Sequence, residues 1–296
     1  MSLPAQSVVL LLSEHRREPF TGPVLAYGKQ TMNVVYDAAI RIFESLDLKV
    51  DPAGLTDPPP GDEVIDFARL VSMMGLGRLH VLDLSGYEGA DLIADLNQPV
   101  PPEYLNRFGL ILDGGTMEHV FDIRQGMKNT ADMLRPEGRA VHITPVNNYV
   151  NHGFVQVSPT LYHDYYVANG FDDVRGIMIV HPRFDYLNTL WHFFHYEHET
   201  MSGVNSMFCT DETQLAVYFT ARKNITSTSG RVPTQSYFTR VYGGTDPLPN
   251  QLVIAHDRMK LNVRRINEPE SDENKATRDL NCSTKIWSID FRPAKP

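Results

Sequence analysis

Apolar positions along this chain alternate between short unbroken runs and longer stretches in which they recur every three or four residues. The runs at 23–27, 79–83, 108–113 and 139–143 predict buried strands, closed by Gly28, Asp83, Asp113 and the approach to Pro145. Between them, Val34, Val35, Ala38, Ala39, Ile42, Phe43 and Leu46 fall on one helical face. A second helix is expected from an Asp62 cap through Val64, Ile65, Phe67, Ala68, Leu70 and Val71. The stretches 116–134 and 161–168 predict two more helices, and 174–180 and 214–221 read as closing strands without a crossover helix between them. Strands separated by helices predict an α/β fold, a Rossmann-like, seven-stranded, mostly parallel sheet with helices on both faces and an antiparallel edge strand. Residues 1–21 read as an N-terminal lead-in and 22–223 as the Rossmann-like domain, with 182–212 as a lid or insertion. Residues 224–296 are rich in Ser, Thr, Pro and Asn and read as an irregular extension.

Composition narrows the function classes. The chain has 296 residues, 42% of them hydrophobic and 21% charged, which suits a globular protein with a sizeable core. With 27 basic against 36 acidic residues the net charge is −9, which opposes non-specific capture of nucleic acid or anionic membrane and favours a neutral or cationic ligand. Cys209 and Cys282 cannot build a disulfide framework or a cysteine-based zinc site. The apolar run Val8–Leu12 lacks a basic leader and is too short to span a bilayer, so a cytoplasmic, reducing setting is expected.

In an open α/β sheet, ligands bind beyond the carboxyl ends of the strands, near the reversal in strand order. That rule selects residues 26–31, 83–88, 95–97 and 113–119. Gly28 can bring backbone amides close to a ligand, and Asp83 ends its strand where a carboxylate can accept both hydroxyls of a ribose. Asp113 precedes the approachable pair Gly114-Gly115.

The string Phe108-Gly-Leu-Ile-Leu-Asp-Gly-Gly-Thr-Met-Glu-His-Val120, then Met133-Leu-Arg-Pro-Glu-Gly138 and Ile143-Thr-Pro145, resembles the class I S-adenosylmethionine-dependent methyltransferases (type 11-like). The likeness extends over about residues 22–223, with Ser158-Pro-Thr-Leu161 and Asn169-Gly-Phe171 fitting the closing helix and its turn. The resemblance implies S-adenosyl-L-methionine as cofactor. It places Gly28, flanked by Tyr27, Lys29 and Gln30, beside the cofactor's amino-acid moiety, and Asp83 with Leu84 at the ribose. Asp95, Leu96 and Asn97 would edge the adenine, and Asp113 with Gly114 would lie where methyl donor and acceptor meet. Three positions depart from the pattern. Ala26 replaces the usual acid before the first glycine, Gln30 stands where a glycine is normal, and 55 residues separate Gly28 from Asp83.

Methyl transfer requires a positioned acceptor and, where its pKa demands, a base. Glu118 and His119, one turn beyond Asp113, and His152, in the polar stretch 147–154, are the catalytic candidates. His163 is expected to pack on the closing helix. Some enzymes of this kind hold a divalent metal through Glu-x-x-Glu-His. Here Gly115 replaces the first Glu, and no metal is expected. The aromatic stretch Trp191-His-Phe-Phe-His-Tyr-Glu-His-Glu199 has histidines spaced by three, too dispersed on a helix to converge on one ion, and reads as a lid or partner surface. The expected partner is a small-molecule or carbohydrate substrate, with a homodimer left open. Two functions follow from these residues: methylation of a small-molecule or glycan hydroxyl or amine, or a non-catalytic or cofactor-exchanged binding protein on the same fold.

Overall fold

The computed structural model describes residues 2–183, 187, 190–201 and 212–243. The elements are, in chain order, β1 (Ser2–Pro4), α1 (Ala5–Arg17), β2 (Val24–Tyr27), β3 (Thr31–Asn33), α2 (Tyr36–Ser45), α3 (Phe67–Met73), β4 (Leu79–Asp83), β5 (Leu92–Ile93) and β6 (Phe108–Asp113). There follow α4 (Ile123–Met133), β7 (Leu134–Asn147), α5 (Pro159–Ala168), β8 (Asp172–Pro182), β9 (His192–Tyr196), α6 (His198–Met201), β10 (Thr213–Arg222) and α7 (Ser236–Tyr242). Eight strands form one sheet in the order β5-β4-β2-β6-β7-β10-β8-β9. The first five in that order pair in parallel, β10 runs antiparallel to both β7 and β8, and β9 adds an antiparallel edge. The α/β class and the parallel core are as expected. Among the described residues the sheet has eight strands rather than seven, because the stretch expected as a lid supplies β9, and the antiparallel β10 lies inside the sheet.

Two apolar layers cover the sheet. On one face α1, α2 and α3 bury residues such as Leu12, Ile42, Phe43 and Leu70, and on the other α4 and α5 bury Met127, Tyr162 and Tyr166. The expected lead-in is therefore part of the core: Val8–Leu12 are at most 4% exposed. Glu14 of α1, itself buried, pairs with Arg17 and with Arg139 and Arg175 of the sheet, which fixes the helix on that face. Burial of one such leucine contributes about 1.5–3 kcal/mol, a strong reason for this apolar run to dock.

Several boundaries move for local reasons. The cap of α3 is Asp66, whose side chain accepts from Arg69 N, and not Asp62; Val64 is exposed and only bridges to Val35. The helix expected from Thr116 opens instead with a 3-10 turn, Met117–His119, and restarts at an Asp122 cap. Strand β7 continues through Pro145, where the β10 pairing is irregular and the carbonyl accepts from Val157 N. The first part of the expected C-terminal extension is tied to α5, since Tyr165 Oη donates to Ser229 O and Asn169 Nδ2 to Arg231 O. About half of the expected lid (184–186, 188–189 and 202–211), residues 244–296 and both cysteines lie outside the described residues. Among the described residues no helix is long and apolar enough to cross a membrane.

Candidate functional site

The strand order reverses between β2 and β6, so the carboxyl ends of β2, β4 and β6 border one crevice. At its edge Gly28 adopts φ +68°, a backbone conformation that favours glycine, and its amide donates to Leu82 O at 2.8 Å. A side chain there would lie 3.5 Å from Thr116 Oγ1 and 3.7 Å from Asp83 Oδ2, so these two groups face Gly28 directly. Asp83 Oδ1 accepts from the amide of Leu84, whose own side chain is 70% exposed. Lys29 is exposed. Tyr27 offers a ligand only backbone, because its ring is buried and its hydroxyl pairs with Thr130 Oγ1 at 2.7 Å.

The loop after β2 is closed by Gln30. Its carboxamide nitrogen donates to Tyr27 O at 2.8 Å, beside the Thr116 hydroxyl, which donates to the same carbonyl at 2.9 Å. The carboxamide oxygen lies over Gly114, where a Cβ would sit only 2.1 Å from it. A side chain at 114 would push the Gln30 carboxamide from this position.

Asp113 is placed differently from its expected role at the ligand. Its carboxylate is fully buried. Oδ1 accepts from the amides of Thr116 at 2.8 Å and Met117 at 3.1 Å, and Oδ2 accepts from His142 Nδ1 at 2.8 Å. His142 Nε2 in turn accepts from Tyr166 Oη at 2.7 Å. Both oxygens are therefore engaged within the protein, Oδ1 with the turn that presents Glu118 and Oδ2 with the neighbouring strand β7. Asp95 is exposed, and its Oδ1 accepts from the amide and the side chain of Asn97, which keep its pKa low. Asn97 Oδ1 accepts from Asp122 N at the start of α4, and Leu96 packs in the core below.

The three catalytic candidates meet. Glu118, in the turn after β6, has no exposed surface, and neither of its oxygens has a hydrogen-bond partner among the described residues. His152 Nε2 stands 3.4 Å from Glu118 Oε1 and His119 Nε2 stands 4.0 Å from it, with the two imidazole rings 5.2 Å apart. The loop carrying His152 reaches this turn by its backbone: Phe154 N donates to Glu118 O at 2.8 Å. Burial, reinforced by the nearby charge of Asp113, pushes the Glu118 carboxyl up to about 8. Burial and the neighbouring His119 lower the His152 imidazole. Beside His152 a groove of about 540 Å³ is lined by Asn148, Tyr149, Asn151, Arg183 and Gln214. Phe121 and Phe154, 78% and 68% exposed, meet edge to face near the same turn. Tyr149 and Phe154 belong to the polar stretch 147–154, expected from the sequence to roof an acceptor pocket, and Arg183 to the expected lid; Phe121, an aromatic in a loop, carried no signal of its own.

The histidine-rich stretch does not join this site. Trp191 is buried and stacks on His181, and His195 lies on the outer strand. His198 stacks on His163 at 3.5 Å between ring centres, both beside Asp164. His163 lies on α5, as expected.

No family model and no curated protein matches this sequence. Solved structures are similar at low identity. The CMeT domain of the citrinin polyketide synthase shares 11% identity over 72% of this chain and 51% of its own, with a TM-score of 0.35. The trans-methyltransferase CalH, solved with SAH, shares 13% over 74% of this chain and 57% of its own, with a TM-score of 0.38. The 1,6-didemethyltoxoflavin-N1-methyltransferase of Burkholderia thailandensis, with bound 1,6-didemethyltoxoflavin and S-adenosylhomocysteine, shares 14% over 74% and 78%, with a TM-score of 0.36. This chain thus spans little more than half the length of the first two. At such identities its chemistry rests on its own residues.

Proposed function

We propose that this chain is an S-adenosylmethionine-dependent methyltransferase acting on a hydroxyl or amine of a small molecule or glycan. One observation carries the reading. The reversal in strand order has Gly28 and Asp83 on one side and an unpartnered, enclosed Glu118 between His119 and His152 on the other. The residues fit an adenosyl cofactor: Asp83 faces Gly28, the exposed Leu84 follows it, and the Gln30 carboxamide borders the far side. When bound, S-adenosylmethionine supplies an electrophilic methyl group on a sulfonium.

The chain's own tasks are to place the acceptor, take its proton and exclude water. The groove beside His152 is of a size suited to a small molecule. His152, held neutral by its surroundings, accepts the acceptor's proton at Nε2. The imidazolium so formed lies next to Glu118 and passes the proton on to solvent, to which the His152 side chain is 38% exposed. Phe121 and Phe154 present an exposed apolar pair near the same turn, against which an apolar part of an acceptor could pack.

Calorimetry with S-adenosylhomocysteine and conversion of S-adenosylmethionine in the presence of metabolite pools test the reading. Binding with turnover is expected, and no binding at millimolar ligand would sink it. A non-catalytic or cofactor-exchanged binding protein is the second reading, favoured by the Gln30 side chain over Gly114. Retained binding without turnover on any pool would select it.

A further inference from the structure

Asp113 and Glu118 are two wholly buried carboxyls on either side of the turn that follows β6. Like charges on neighbouring enclosed carboxyls oppose each other, so the folded chain favours one negative charge between the two. Which carboxyl carries it decides what His152 has beside it. Hydrogen bonding separates the two. Asp113 meets four N–H donors: Gly115 N at 3.3 Å, Thr116 N at 2.8 Å, Met117 N at 3.1 Å and His142 Nδ1 at 2.8 Å. A proton on Asp113 would have to point at one of these donors. Glu118 has no hydrogen-bond donor among the described residues.

His142 Nδ1 is a donor because the other ring nitrogen is already used. The Tyr166 phenol is wholly buried, and that burial pushes it well above its usual range, so it keeps its proton. Among the described residues the acceptor for its hydroxyl is His142 Nε2, at 2.7 Å. The ring hydrogen therefore sits on Nδ1 and the imidazole is neutral, so it orients Asp113 without cancelling its charge. Stacking on Tyr162, with 4.4 Å between ring centres, holds the ring in place. The other ionisable groups facing the two carboxyls are the Tyr27 and Tyr162 phenols, both raised by burial and so neutral, and the His119 and His152 imidazoles. We propose that His142 is a positioning residue of this site: through its Nδ1–H it places the single negative charge on Asp113 and so leaves Glu118 protonated. Beside a neutral Glu118, no adjacent anion holds a proton on His152, and its Nε2 stays ready to accept one. His142 itself is buried and touches no ligand. This role rests on the reading of His152 as the base; because no ligand enters the test, the two fail separately.

The test follows ionisation in the full chain by NMR, with carboxyl-labelled glutamate and ring-labelled histidine. Glu118→Gln and His142→Asn identify the two signals by their loss. In wild type the Glu118 carboxyl is expected to titrate at about 8, with the His142 hydrogen on Nδ1. His142→Gln keeps an acceptor for Tyr166 but offers Asp113 no donor, and should move the Glu118 titration down by about one to three units. Asp113→Asn removes the charge outright and should do the same. His142→Asn keeps a donor for Asp113 and loses the acceptor for Tyr166, so Glu118 should titrate as in wild type even if stability falls. An unmoved Glu118 titration in His142→Gln would overturn the proposal. Equal shifts in the Gln and Asn variants would also overturn it, since they mark loosened packing. Should His142→Gln not fold, the wild-type histidine signal decides: a hydrogen on Nε2 at neutral pH, alone or with one on Nδ1, overturns the assignment.

Discussion

Glu118 and His152 face one another at 3.4 Å, the carboxyl wholly enclosed and the imidazole 38% exposed. They lie 34 positions apart on loops that follow neighbouring parallel strands, β6 and β7. A buried carboxyl without hydrogen bonds is destabilising by itself, and this one stands beside two imidazoles at the carboxyl edge of the sheet.

His152→Ala is expected to lower kcat at least about 100-fold, the usual minimum for loss of a positioned acid or base. Binding of S-adenosylhomocysteine should be unchanged, because Gly28 and Asp83 lie on the other side of the reversal. Glu118→Gln removes the negative charge that Glu118 carries only above about pH 8, worth about one to three pKa units to the imidazolium, so above that pH kcat should fall about 10- to 1000-fold. Steady-state rates and calorimetry on the two variants check both statements. Unaltered turnover in both would remove this pair from the chemistry.

The same carboxyl makes stability depend on pH. Its pKa rises from 4.5 to about 8 on folding, so between those values the folded chain holds a proton that the unfolded chain has released. The contribution is full below about pH 4.5 and is lost as pH rises through about 8. Glu118→Gln should remove this part of the slope. Urea midpoints of wild type and variant at about pH 6 and about pH 9 measure it, and the variant should gain relative to wild type at the higher pH.

Asp113→Ala should act on stability. It strands the amides of Thr116 and Met117 and the Nδ1 of His142. The expected loss is about 3–5 kcal/mol, as for removal of one partner from a buried pair. Equilibrium denaturation reads it. A variant as stable as wild type but unable to bind ligand would return Asp113 to the ligand-facing role.

Asp83→Ala should do the opposite. The side chain is partly exposed and among the described residues accepts a hydrogen bond only from Leu84 N, so ligand-free stability should change by less than about 0.5 kcal/mol. Loss of a charged acceptor for ribose hydroxyls should weaken S-adenosylhomocysteine by about 1.5–3 kcal/mol. Paired thermal and calorimetric measurements separate the two effects.

Leu12→Ala tests the reassignment of the first 21 residues. Leu12 has no exposed surface. Its truncation should cost about 2–5 kcal/mol, as for a leucine in any close-packed interior. A loss near zero by urea denaturation would mean that α1 contributes no more than a lead-in would.

What could be read along the chain was whatever neighbouring residues settle among themselves. The apolar run at 108–113, the three-and-four spacing from Val34 to Leu46 and the punctuation at Gly28 and Asp83 each constrain a few consecutive residues, and all of them survive in β6, α2, β2 and β4. Strand ends mark the crevice, so Gly28, Asp83 and the turn after Asp113 were legible as its border, and Glu118, His119 and His152 as candidate bases, which the fold brings together. Contacts between distant residues were not. Glu14 meets Arg139 from 125 positions away, which turns an apparent leader into a core helix. His142 draws Asp113 inward, although strand-end position alone pointed it at a ligand. The stretch around His195 became an edge strand because β8 offered it an open row of backbone partners, which no periodicity within the stretch announces. Local patterning selects a backbone conformation, while the partner of a buried charge is chosen only when packing brings two remote segments together and leaves each polar group to find the nearest donor or acceptor.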